Sequence, residues 1–193
     1  MFEKVCSWLR SYGIRISPGE EQVLAARTRR TTIEKNTIIM QQGKSVDRLY
    51  FLNSGTVRLL RVHNTTDITI DFISWNVFVS TVVYLVNREP SPCALETLTE
   101  TDAFYWELED LLYLKEHTKV VSAIEQALLS RLLNWNQDRE MDILSMTPEE
   151  RYIKLMNTQP DVIRDVPLKF IASYLGIHQD SLSRIRHKLA RAK

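Results

Sequence analysis

The segment from about Thr32 to Phe104 has the residue pattern of β-strands. Arg48–Val62 is rich in aromatic and aliphatic residues and is divided by Asn53-Ser54-Gly55. Asn, Ser and Gly favour turns, so this run predicts two strands on either side of a turn. Polar and apolar residues alternate over Asp67–Ile73, as expected of a half-buried strand. Several short strands separated by turns predict a β-sandwich or a rolled barrel.

The pattern changes to helical spacing between Lys115 and Met146, a segment that contains neither Gly nor Pro. A helix of ~30 residues is ~45 Å long, and a small barrel alone does not easily cover its apolar stripe. We therefore predict that this helix pairs with its copy in a second chain, the alternative being a core helix of the same chain. The residues predicted for the dimer contact are Ile124, Leu128, Leu132 and Trp135.

A further helix is predicted to begin at Thr147-Pro-Glu-Glu150. Threonine suits the N-cap, proline suits the first helical position, and Glu150 completes a capping box. The helix is expected to continue to about Asn157 and to stop before Pro160.

Residues 168–189 have the spacing of a helix-turn-helix, which joins two helices by a short turn. Ala172 provides the small residue at the helix crossing, and Gly176 allows a left-handed backbone in the turn. Apolar residues at helical spacing follow at Leu182 and Ile185. The joint pattern is much more specific than any one of these residues.

The first residues of the second helix are the ones that such motifs place in the major groove. Arg184 can pair with guanine and Gln179 with adenine, while Asp180 can accept from cytosine or orient Arg184 one turn later. The remaining polar residues suit phosphate contacts. The predicted DNA-binding residues are His178, Gln179, Asp180, Ser181, Arg184, Arg186 and Lys188, and Lys193 is equally well explained as solvated surface.

The charge distribution fits this assignment. The chain has a net charge of +1, but residues 164–193 contain seven Lys/Arg and two Asp/Glu, a net charge of +5. A basic segment on an acidic body is typical of proteins that bind a polyanion, and a solvated charged helix is the alternative.

Other function classes have little support in the sequence. No segment approaches the ~20 apolar residues of a membrane span, and charges interrupt the first residues, so a cytoplasmic protein is expected. Two cysteines, Cys6 and Cys93, cannot supply the four thiolates that iron–sulfur clusters usually need. No nucleophile–base pair, phosphate loop or metal-ligand spacing is present, so we predict neither an enzyme nor a metal site.

In the order of its segments the chain resembles the Crp/Fnr transcription regulators. The resemblance covers nearly the whole chain and is sharpest in the helix-turn-helix, in Asn36-x-x-Ile39-x-x-x-Gly43 and in Tyr50-Phe-Leu-x-Ser-Gly-x-Val-Arg58. It implies an α+β fold: an N-terminal double-stranded β-helix (a jelly-roll-like β-roll), a long dimerisation helix and a C-terminal winged helix-turn-helix, whose wing is expected to be minimal. The implied domains are the β-roll effector domain over 1–114, the dimerisation helix over 115–146 and the DNA-binding domain over 147–193.

Family members that bind cyclic AMP carry Gly-Glu-Leu and then Pro-Arg-Ser-Ala, in which the Glu holds the ribose and the Arg pairs with the phosphate. Here Ser80 stands in place of the Glu and Ser91 in place of the Arg. A buried phosphate without its arginine lacks charge compensation. We therefore expect that cyclic AMP and cyclic GMP do not bind in the usual way and predict no cofactor.

The family pocket is expected either to accept a different, unknown effector or to be filled as core. Its candidate lining residues are Trp75, Phe78, Ser80, Tyr84 and Ser91. The sequence thus predicts a homodimeric, sequence-specific regulator that binds double-stranded DNA, with RNA polymerase as a further candidate partner. The alternative is a small-molecule or nucleotide-sensing module whose helical C-terminus contacts proteins.

Overall fold

In the computed structural model, which describes residues 2–191, two helices precede a β-roll. Helix α1 spans Glu3–Ser11 and α2 spans Pro18–Ala26. Ser17 and Glu20 form a capping box at the start of α2, and Pro18 occupies its first turn. The strands follow as β1 (Arg29–Ile33), β2 (Ile38–Met40), β3 (Arg48–Ser54), β4 (Thr56–His63), β5 (Thr66–Ser74), β6 (Val77–Val79), β7 (Ala94–Thr97) and β8 (Thr101–Glu107), with helix α3 (Val82–Asn87) between β6 and β7.

The described strands form two antiparallel four-stranded sheets. One has the order β1-β8-β3-β6 and the other β2-β7-β4-β5. The two strands predicted around Asn53-Ser54-Gly55 are present as β3 and β4, but they lie in different sheets. Gly55 makes this change of sheet possible: its φ is +96°, and a Cβ there would lie 2.5 Å from the Thr101 hydroxyl. The core between the sheets includes Phe51, Phe78, Leu95 and Trp106.

Helices form the rest of the described chain. They are α4 (Leu108–His117), α5 (Val120–Ser145), α6 (Pro148–Thr158), α7 (Pro160–Asp165), α8 (Leu168–Leu175) and α9 (Gln179–Arg191). The predicted capping box at Thr147 and Glu150 is confirmed at the start of α6. Among residues 2–191, no helix is both long enough and apolar enough to cross a membrane.

The predicted single helix over 115–146 is two helices. Thr118 has an extended backbone and separates α4 from α5, which begins at Val120 and contains 26 residues. The Thr118 hydroxyl donates to the Leu114 carbonyl and so satisfies a C-terminal carbonyl of α4. No Gly or Pro marks this break, which explains why the residue pattern did not show it.

The predicted dimer residues face their own chain. Ile124 and Leu128 are buried in the β-roll core, Leu132 packs against that core, and Trp135 lines the cleft between β5 and the C-terminal helices. On α5 the largest exposed apolar side chains lie elsewhere and are Leu133, Met141, Ile143 and Leu144. The apolar residues of α5 therefore divide into a side packed within the chain, which holds the residues predicted for the dimer contact, and an exposed side.

Candidate nucleic-acid interface and effector cavity

Helices α8 and α9 meet in a tight turn at Gly176. This residue has φ +69° and ψ 33°, the left-handed conformation for which its sequence position was singled out. The Ile177 amide donates to the Ala172 carbonyl at 3.0 Å and closes the end of α8. Leu182 of α9 is fully buried in the same cluster as Ile171 and Leu175 of α8. The two helices thus share one apolar core.

The opposite side of α9 is polar and open to solvent. All seven predicted DNA-binding residues are exposed: His178, Gln179, Asp180, Ser181, Arg184, Arg186 and Lys188. Lys188 forms an exposed ion pair with Glu149 at 2.7 Å. Within the described chain Arg184 forms no ion pair, including none with Asp180 one turn earlier, so its guanidinium is available. Lys193 lies outside the described residues.

Helix α8 is docked on β5, an edge strand of the β-roll. The Ser173 hydroxyl accepts the Thr69 amide at 2.9 Å and lies 3.4 Å from the Asp67 carbonyl, so it satisfies part of the free strand edge. The ring centroids of Tyr174 and Phe72 are 5.3 Å apart. The helix-turn-helix therefore shares a packed interface with the β-roll of its own chain.

A buried arginine extends this interface. Arg58 of β4 is 3% exposed, donates to Glu96 at 2.6 Å and forms a bidentate pair with Asp67 at 2.6–2.7 Å. Its guanidinium carbon also lies 3.7 Å from the ring centroid of Phe170 in α8. The charge is thus compensated by two carboxylates and an aromatic face, which buried charges require.

A cavity of about 350 Å³ opens between β5, α3 and α5. Its wall is mostly apolar and includes Phe78 and Tyr84, while Ser80 and Thr81 add hydroxyl groups. Phe78, Ser80 and Tyr84, which the sequence predicted as pocket residues, thus line this cavity. Two charged side chains that the sequence analysis did not single out also line the cavity, Asp71 of β5 and Arg131 of α5.

The other two predicted lining residues lie elsewhere. Trp75 is 51% exposed at the end of β5, and its indole nitrogen donates to Asp161 of α7 at 3.2 Å. Ser91 is buried, and its hydroxyl donates to the Cys93 carbonyl at 2.9 Å. Trp75 therefore joins the β-roll to the C-terminal helices, and Ser91 stabilises its own turn.

Asp71 lies in a wall that separates two concave sites. It lines both the cavity and the second cleft, which reaches α6 and α8. Burial raises the pKa of Asp71 to about 6, although Arg131, Arg139 and the Trp135 indole favour its ionised form. Regular alternation would group Asp71 with Asp67 and Thr69, but a register shift leaves Ile70 without a partner in β4 and places Asp71 on the opposite side of the sheet, with Ile73. The register shift depends on how β5 pairs with β4, so the residue pattern of β5 alone does not identify Asp71.

Comparisons with known proteins support the fold. Residues 30–118 match the family model of the cyclic nucleotide-binding domain. Within these residues the chain is similar to that domain. The cavity described above lies between this domain and α5. No curated protein matches the chain in sequence.

Solved structures similar to the chain extend the likeness beyond the cyclic nucleotide-binding domain. The catabolite activator protein of Thermus thermophilus is 23% identical, with a TM-score of 0.56 over 92% of this chain and 85% of that one. The c-di-GMP-responsive regulator CLP of Xanthomonas campestris is 16% identical, with a TM-score of 0.69 over 91% of this chain and 93% of that one. FixK2 of Bradyrhizobium japonicum is 15% identical, with a TM-score of 0.70 over 86% of this chain and 85% of that one. The predicted α+β fold and the resemblance to Crp/Fnr regulators are thereby confirmed at the level of architecture.

Proposed function

We propose that this protein is a sequence-specific DNA-binding transcription regulator that acts as a homodimer. The observation that carries the proposal is the division of α9 into two sides. Its apolar residues pack on α8, whereas its polar first turns and Arg184 face solvent without an intramolecular partner in the described chain. This is the arrangement that a recognition helix needs to enter a major groove. The similar architecture of known regulators supports it.

The residues of α9 are assigned two kinds of contact. The side chains of Gln179, Asp180 and Arg184 are exposed, and their chemistry suits pairing with adenine, cytosine and guanine respectively. The flanking groups contact phosphates, which orient the helix without carrying sequence information. These phosphate-contacting residues are His178, Ser181, Arg186 and Lys188.

The second half of α5 is proposed as the dimer contact. Leu133, Met141 and Leu144 are 69%, 60% and 76% exposed, and they fall on one side of the helix, away from the β-roll. A second copy of α5 is the partner that matches this stripe, because two-fold dimers pair identical surfaces. The proposed domains are then the β-roll up to α4, the dimer helix α5 and the DNA-binding domain from Thr147 onward.

The alternative is a sensing module whose C-terminal helices contact a protein. Fluorescence anisotropy of a labelled duplex at increasing salt separates the two proposals. A DNA-binding protein must show log K falling linearly with log salt concentration. Lys188→Ala is expected to reduce that slope by about 1, whereas the exposed β-roll control Lys35→Ala leaves it unchanged. Absence of salt-sensitive binding at any ionic strength contradicts the DNA-binding proposal.

The dimer contact is tested by sedimentation. Leu133→Lys is expected to shift the protein toward monomer, because it places a charge in the proposed apolar contact. Leu112→Lys, the same substitution at an exposed leucine of α4 outside α5, is the matched control. Identical sedimentation of the two variants contradicts the proposed contact.

A further inference from the structure

The cavity has a dipolar wall. Asp71 of β5 and Arg131 of α5 both line it, among apolar residues that include Ile73, Phe78 and Leu132. Within residues 2–191 neither charge forms an ion pair with an N–O distance up to 4 Å, with the other or with a third residue. The Asp71 carboxylate and the Arg131 guanidinium therefore line the same cavity without forming an ion pair with each other.

A third polar group in the wall is unsatisfied. The Thr81 hydroxyl lines the cavity, is buried and has no hydrogen-bond partner in the described structure. Buried hydroxyls are normally hydrogen-bonded, and an orphan in a cavity wall points to a ligand or to water as the missing partner.

The charges limit which ligands fit. A ligand that carries only a negative charge is repelled by the ionised Asp71 carboxylate, and a ligand that carries only a positive charge is repelled by Arg131. The cavity volume, about 350 Å³, is at the low end of the range for small-molecule sites, about 300–1,000 Å³. A ligand that satisfies all of these conditions is small, largely apolar and carries both charges.

We propose that the cavity binds a free α-amino acid with a large apolar side chain, its ammonium group at Asp71 and its carboxylate at Arg131. The side chain then occupies the apolar wall near Phe78, and Thr81 contributes a hydrogen bond. Both ligand charges are then paired in a mostly apolar cavity, where unpaired charges are costly.

The position of Asp71 also links the cavity to the helix-turn-helix. Arg131, Trp135 and Arg139 follow one another at intervals of four residues on α5, and both arginines act on the Asp71 carboxylate. Arg139 donates to the Tyr174 carbonyl of α8 at 3.3 Å, and its guanidinium lies 4.5 Å from the Tyr174 ring centroid. When the ligand ammonium pairs with the Asp71 carboxylate, it neutralises the negative charge with which Arg139 interacts. This regulatory part rests on the proposed DNA-binding function, whereas ligand binding does not.

Calorimetry on the whole protein without DNA tests the site. The probes are L-leucine, L-methionine, L-phenylalanine and L-tryptophan, with 3-phenylpropanoate and 2-phenylethylamine as analogues of phenylalanine that lack one charge each. We expect saturable binding of at least one amino acid and, for phenylalanine, at least tenfold weaker binding of both analogues. Binding of either analogue as tightly as phenylalanine overturns the proposal, as does the absence of binding by all four amino acids.

Variants identify the site. Asp71→Asn and Arg131→Gln are each expected to weaken binding at least tenfold, while the exposed controls Asp47→Asn and Arg15→Gln do not. Circular dichroism verifies the fold of each variant, and the analogue series on the unaltered protein stays decisive if a variant does not fold. Wild-type affinity in both folded cavity variants overturns the assignment.

The link to α8 has its own measurement. Arg139→Gln is expected to retain amino acid binding but to lose any ligand-dependent change in DNA affinity. An unchanged ligand effect on DNA affinity in this variant overturns the link while leaving the binding site intact. If no form of the protein binds DNA, the proposed function fails, but the calorimetric result on the cavity stands by itself.

Discussion

The two helices of the helix-turn-helix have opposite surroundings. Helix α8 uses Ser173, Phe170 and Tyr174 to contact the β-roll of its own chain. Helix α9 presents its polar residues, Arg184 among them, to solvent. Adjacent elements of one small motif thus have separable tasks: α8 fixes the orientation of the motif, and α9 is free to bind. Substitutions at the α8 interface should change stability, whereas those on the outer side of α9 should change only DNA binding.

The largest effect is expected at the interface between α8 and the β-roll. Arg58→Ala leaves the Glu96 and Asp67 carboxylates without their partner and removes the contact to Phe170. The Arg58 and Glu96 side chains are 3% and 15% exposed, and breaking a buried ion pair of this kind costs about 3–5 kcal/mol in the free energy of unfolding. Urea denaturation measures it, with the exposed neighbour Arg61→Ala as a control that should stay within about 0.5 kcal/mol of wild type. Equal stability of the two variants contradicts the role of Arg58.

A pH-dependent effect is expected at Asp71. Its pKa is raised to about 6 from 3.8, so the ionised carboxylate destabilises the native state. At 1.36 kcal/mol per pH unit, Asp71→Asn should increase the unfolding free energy by up to about 3 kcal/mol above pH 6. The gain should disappear as the pH falls toward 4, because Asp71 is then protonated in the native state. Thermal unfolding from pH 4 to 8 measures it, and a gain that does not vary with pH is inconsistent with this account.

On α9 the expected effect is on DNA alone. Arg184→Ala should lower specific affinity by about 1–3 kcal/mol and relax the preference at one base pair, because a bidentate contact is lost. Its unfolding free energy should match that of the wild-type protein, since the side chain is exposed and unpaired in the described chain. Comparing binding-site selections for the two proteins measures the preference, and unchanged selectivity refutes the assigned contact.

The smallest effect is expected from one hydroxyl of α8. Ser173→Ala removes the acceptor of the Thr69 amide, which is worth about 1 kcal/mol. Ser181→Ala, the same substitution at an exposed hydroxyl of α9, serves as control in the same urea titration. Hydrogen exchange of the Thr69 amide should accelerate in Ser173→Ala but not in the control, and equal protection in both contradicts the docking contact.

Elements with strong local signals were predicted from the sequence. The capping box at Thr147, the left-handed Gly176 and the strand over Asp67–Ile73 all depend on residue chemistry within a few positions. The helix-turn-helix combined several such signals, which made its prediction specific.

Features set by distant contacts were not predictable in this way. The apolar stripe of α5 was visible, but only the fold shows that Ile124 and Leu128 meet the β-roll while Leu133 and Leu144 remain uncovered. Asp71 occupies a polar position in the alternation of β5, but a register shift between β4 and β5 turns it toward the cavity. Trp75 has the composition of a pocket residue, yet its indole contacts Asp161, 86 residues further along the chain.

The central claim, that α9 reads DNA as part of a dimer, is tested most directly by selecting randomised duplex DNA with the purified protein and sequencing the recovered sites. The account predicts an enriched palindrome whose half-sites lie about one helical turn, ~34 Å, apart. It also predicts that Arg184→Ala changes the preference within each half-site. Recovery of random sequences, both with and without an apolar amino acid, would contradict it.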